Sequence, residues 1–62
     1  MSREARRKAK LLRKLKPTNR IVYDKWWTLC FTIAEYENLS VEETREFMVA
    51  CGVPKIDMRF FR

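Results

Sequence analysis

A chain of 62 residues with a formal net charge of +6 has room for one domain. Its core is marginal, since a chain of this size buries only about 60% of the surface its unfolded form exposes. With no His, one Gly and two Cys, it has no imidazole proton shuttle, no glycine-rich phosphate loop and no cluster of metal ligands, so neither catalysis nor a cofactor is expected. No apolar run approaches the ~20 residues of a membrane-spanning helix, and the charged start with no apolar stretch behind it does not read as a secretory signal.

Charge is distributed in three zones. Residues 1–20 carry nine Lys or Arg against Glu4 alone, a net +8. The middle, 21–54, is acidic, with Lys25 and Arg45 opposed by Asp24, Glu35, Glu37, Glu42, Glu43 and Glu46. Lys55, Arg59 and Arg62 against Asp57 make the end basic again. Basic ends on an acidic middle suit a protein that grips a polyanion.

The first segment, Ser2 to about Lys16, reads as a helix, with Ser2 as N-cap and Glu4 complementing the dipole. Its apolar stripe (Ala5, Leu12 and Leu15, with Ala9 and Leu11 beside them) is thin, which suggests a loosely held arm over residues 1–18 beside a helical domain over 19–62. Arg3, Arg6, Arg7, Lys10, Arg13 and Lys14 are its candidate phosphate contacts, with Lys8, Lys16 and Arg20 adding field. Residues 3–16 are similar to the arginine-rich segments that fold as a helix on structured RNA, and that resemblance implies a backbone gripper. Competing readings are an acidic protein groove, which Leu11, Leu12 and Leu15 favour, a lipid surface, and a merely solvated helix.

Pro17-Thr18-Asn19 is turn chemistry. From Thr18 or Asn19 to Tyr36 or Glu37 the pattern is helical, with apolar residues spread over roughly 220° of the wheel, about twice the stripe of an ordinary surface helix. Trp26 and Trp27 point about 100° apart. On one reading Trp26, Leu29 and Ile33 pack on the next helix while Trp27 and Phe31 lie under the tail. On the other, Tyr23, Trp27 and Phe31 stay exposed as a surface for a protein partner or a second copy. Cys30 and Cys51 sit inside apolar helical patterns and read as buried thiols in a reducing cytoplasm.

Ser40-Val41-Glu42-Glu43 is a capping box. Val41, Thr44, Phe47, Met48 and Cys51 form one face of the helix it opens, Glu42, Glu43 and Glu46 form the other, and Gly52 with Pro54 stops it. The tail is open between two readings. Ile56, Met58 and Phe60 alternate like a strand, whereas Lys55, Arg59 and Arg62 share a face if it is helical. Residues 44–62 resemble the helix-turn-helix motif on Phe47 and Cys51, on Gly52 and Val53 in the turn, and on Met58 and Phe61 beyond it. That resemblance implies a second helix presenting Lys55, Arg59 and Arg62 to DNA.

The expectation is a small all-α domain of two or three helices with a basic N-terminal helical arm. Its expected role is that of a regulatory protein that binds DNA or RNA by its ends and holds a protein partner through the central helix. The alternative is an adaptor or inhibitor of a larger complex, in the style of phage or plasmid accessory proteins.

Overall fold

The structure, a computed structural model, describes residues 1–59. Three helices account for most of it: α1 (Arg3–Lys14), α2 (Arg20–Tyr36) and α3 (Val41–Ala50), followed by a single 3-10 turn at Lys55–Asp57. The protein is a small all-α domain, with no strand among the described residues.

Each helix starts where the sequence supplies an acceptor for its orphan amides. Ser2 Oγ accepts from the Ala5 amide, Asn19 Oδ1 from Ile21 and Val22, and Ser40 Oγ from Glu43. The Ser40 amide in turn donates to the Glu43 carboxylate, which completes the capping box. Two helix ends are closed by the same device. After α3, Gly52 (φ 100°) turns left-handed, so that the Val53 amide reaches Met48 O and the Gly52 amide reaches Val49 O. After α2, Asn38 (φ 57°) does the same, sending Leu39 N to Ala34 O and its own amide to Glu35 O. These are the paired bonds of a Schellman ending, open to Gly and, at small cost, to Asn.

The core gathers Ala5, Ala9 and Leu12 of α1, Trp26, Trp27, Cys30 and Ala34 of α2, Phe47 and Met48 of α3, and Cys51, Val53 and Met58 beyond it. The first segment is therefore not a loosely held arm. Ala5 and Ala9, one turn apart, carry so little side chain that α1 approaches α3 closely, and Leu12 fills the space beside them. Leu15, expected on that stripe, stays in water, as does Val41 at the start of α3.

Polar bonds lock this docking. Trp26 Nε1 donates to Leu12 O (2.9 Å), a carbonyl in the last turn of α1 that also accepts from the Leu15 amide. Lys16 Nζ donates to Gly52 O (2.8 Å), Lys8 pairs with Glu37 (3.0 Å), and the Met1 ammonium lies 2.8 Å from Glu43.

The tail follows neither expectation through its described part. Residues 55–57 make one 3-10 turn, so no second helix of a helix-turn-helix begins at Lys55 and no strand forms over 55–59. Met58 is buried as that motif requires, beside the groove lined by Arg45, Lys55 and Ile56, while Phe60, Phe61 and Arg62 lie outside the described residues. The physical reason is Asp57. Its main chain and carboxylate both bond to α2 side chains, which pins the tail across α2.

Candidate nucleic-acid interface

Once Ala5, Ala9 and Leu12 are turned inward, helical geometry decides where the cations go. At about 100° per residue, Arg3, Arg6, Arg7, Lys10, Arg13 and Lys14 fall within about 120° on the outer side of α1, over a length of about 17 Å. All six are exposed, and none forms an ion pair among the described residues. Glu4, the one acidic residue of α1, falls outside this arc. Arg3 and Arg7, Arg6 and Lys10, and Lys10 and Lys14 stand four residues apart, a spacing at which like charges destabilise a helix by about 0.2–0.5 kcal/mol per pair. The fold gains nothing from that repulsion.

The remaining N-terminal cations differ. Lys8 Nζ is bonded to Glu37 and lies 5.4 Å from the centre of the Tyr36 ring. The Glu37 bond holds the Lys8 ammonium above its ordinary range. Lys16 closes the end of α3. Both work inside the fold.

Of the three basic tail residues, Arg59 is also engaged. Its Nη2 lies 2.7 Å from Asp24 Oδ1, its Nε donates to Asp57 Oδ1 (3.0 Å), and its guanidinium sits 4.9 Å from the centre of the Trp27 ring. Arg59, expected at a phosphate, has partners within the chain. It is held on two carboxylates and an aromatic face, and those bonds raise its pKa further. Lys55 is exposed, beside a shallow groove that it shares with Arg45, Ile56 and Met58. Arg62 lies outside the described residues.

The aromatic surface proposed from sequence also moves. Trp27 is buried, with Nε1 donating to Asp57 O (3.0 Å), and Phe31, half-buried, stacks on it at 5.6 Å. Tyr23 is half-buried, and its hydroxyl donates to Asp57 Oδ2 (2.6 Å). The three residues lie under the tail and between helices, whereas the apolar edge of α2 left in water is the opposite one, Val22, Leu29 and Tyr36. Sequence reasoning missed Asp57 as the organiser. Its charge is visible in the sequence, but the contact spans more than thirty residues along the chain.

Burial and the bond to Asp57 push the Tyr23 phenol up to about 12. Burial pushes Asp57 up as well, but the bonds from Tyr23 and Arg59 outweigh it and hold that carboxyl below its usual range. An unfolded tyrosine titrates near pH 10. The folded value is the higher one, so the phenol contributes its full stability below about pH 10 and loses it as pH rises towards about 12. Denaturation midpoints are expected to fall more steeply across that window for the wild type than for Tyr23→Phe. Parallel curves would mean that the bond to Asp57 does not form.

Cys30 and Cys51 are free and fully buried. The neighbouring Cys30 thiol and burial raise the Cys51 thiol, the opposite of what a nucleophile needs, whereas Cys51 draws the Cys30 thiol down. No helix among the described residues is long and apolar enough to cross a membrane. No family model, curated protein or solved structure matches this chain.

Proposed function

We propose that this protein binds double-stranded nucleic acid through the phosphate backbone, using the outer face of α1. The observation that carries the reading is a preformed helix face with six exposed cations, no carboxylate in the arc, and a repulsive spacing that stability does not explain. A rigid row of Arg and Lys neutralises phosphates whatever the base sequence. Proteins that hold single strands add aromatic platforms for the bases. Here the basic face contains no aromatic residue: Tyr23, Trp26, Trp27, Phe31 and Phe47 are wholly or half buried, and the exposed Tyr36 lies on α2 beside Lys8, outside the arc. Duplex is favoured for that reason. The role is binding rather than catalysis, of the kind a small regulatory protein performs.

The test is fluorescence anisotropy with a short labelled duplex, and with one strand of it alone, over a series of salt concentrations. Six phosphate contacts are expected to give a log–log slope of about −5 for the duplex. Unrelated duplex sequences should bind equally, and the single strand more weakly. A flat salt dependence, or tighter binding of the single strand, would reject the proposal.

A further inference from the structure

A second surface lies on α1 and α2, beside the basic face. Leu11, Leu15, Val22, Leu29 and Tyr36 are between 46% and 81% exposed. Two contacts show that they share one seam. Lys8 reaches Tyr36 and Glu37, and Trp26 reaches Leu12 O, so the Lys8 side of α1 faces the Trp26–Tyr36 side of α2. On α1, Leu11 and Leu15 fall within about 60° of Lys8, and on α2, Val22 and Leu29 fall within about 40° of Tyr36. Helix α3 is on the other side of α1, where Lys16 and Arg13 meet Gly52. The five side chains thus line the outer groove between α1 and α2.

We propose that this groove docks an acidic amphipathic helix of another protein. The rim decides the occupant. Arg7 and Lys14 border Leu11 on α1, and Lys25 borders Val22 and Leu29 on α2; all three are exposed. Glu4, near the N-terminal end of α1, is the one carboxylate on the α1 border. A partner helix with apolar anchors at i, i+3 or i+4, and i+7 fills such a groove, and carboxylates on its flanks meet the cations. The apolar edge of α2 from Val22 to Tyr36 runs about 21 Å, which matches about four turns of a partner helix. A second copy placed face to face would set Arg7, Lys14 and Lys25 against their own equivalents, on chains that each carry +6. The surface adjoins the proposed nucleic-acid face and shares Arg7 and Lys14 with it, while its apolar floor of Leu11, Leu15, Val22, Leu29 and Tyr36 belongs to the groove alone.

The test uses the full chain, isotopically labelled, titrated with a synthetic peptide carrying Leu at i, i+3, i+7 and i+10 and Glu at most other positions. A peptide of the same composition in scrambled order is the control. Amide shifts are expected to concentrate around Leu11, Leu15, Val22, Leu29 and Tyr36, with the scrambled peptide binding at least about tenfold more weakly. Leu15→Ser with Leu29→Ser should also lose at least about tenfold, at unchanged helical circular dichroism and unchanged duplex binding, because both side chains are exposed. Equal binding of the scrambled peptide would overturn the proposal, as would shifts confined to Arg3, Arg6 and Lys10, or no binding at all. Concentration-dependent self-association of the free chain that the double Ser variant abolishes would assign the groove to a second copy and overturn it equally. If the double variant does not fold, the shift map and the scrambled control on the wild type still decide.

Discussion

Trp27→Ala is expected to remove much of the chain's stability and to lower its melting temperature steeply. The residue is 8% exposed, its indole N–H donates to Asp57 O, its ring stacks on Phe31, and the Arg59 guanidinium lies 4.9 Å from the centre of its ring. Truncating a buried Trp costs about 3–5 kcal/mol. At about 0.05–0.15 kcal/mol per residue, a chain this small has roughly 3–9 kcal/mol in total. One substitution therefore removes from about a third to all of it, and about two thirds at the middle of both ranges. The effect also spreads, because the Asp57 carbonyl loses its donor and the tail loses the ring on which Arg59 rests. Far-UV circular dichroism during thermal melting checks this. Leu29→Ala, on the exposed edge of the same helix, should stay within about 0.5 kcal/mol of the wild type. Equal melting of the two variants would place Trp27 outside the core.

Replacing Arg6, Arg7, Arg13 and Lys14 together by Gln is expected to abolish most duplex binding while preserving the fold. Each lost phosphate contact removes about 0.9 from the log–log salt slope, so four remove about 3.6 of an expected ~5. Proteins with six or more such contacts lose about three orders of magnitude in affinity across the usual salt range, and the variant should lose most of that sensitivity. All four side chains are exposed, and none of them carries a bond that holds α1 to its neighbours. Relief of like-charge spacing should leave the melting temperature equal or slightly higher. Weaker binding with a lower melting temperature would mean that the charges serve the fold. Unchanged affinity and slope would remove α1 as the binding face.

Local chemistry was the legible part of this chain. The Ser40–Glu43 capping box, the Gly52 stop and the caps at Ser2 and Asn19 each rest on residues within a few positions of one another. Asn38 used the same local chemistry as Gly52 but is a weaker marker, since Asn also serves ordinary turns. The docking of α1 was misjudged because apolar area was taken as the measure of attachment. Two alanines contribute little area, yet they let two helices approach closely enough for main chain and methyl groups to make the contacts. The wide apolar arc of α2 announced two buried edges or one exposed one, and periodicity alone could not choose between them. The choice was made by Asp57 and Arg59, whose partners Tyr23, Trp27 and Asp24 lie far away in sequence. The basic face was legible once α1 was known to be a docked helix, because the same turn that buries Ala5, Ala9 and Leu12 sets the cations outward.

The slender attachment of α1 also sets a timescale. Helix α2 is anchored by two tryptophans, whereas α1 buries two alanines and a leucine. Such an element opens by itself, as a cooperative unit, at a lower free energy than the rest of the domain. Its amides should therefore trade their protons for deuterons ahead of those in the middle of α2. A polyanion seated on the outer face of α1 requires the helix to be formed, so occupancy raises the opening free energy in proportion to the logarithm of ligand concentration. Deuterium uptake along residues 6–14 would then act as a clock that slows as the helix is occupied, while uptake in the α2 core kept its own pace.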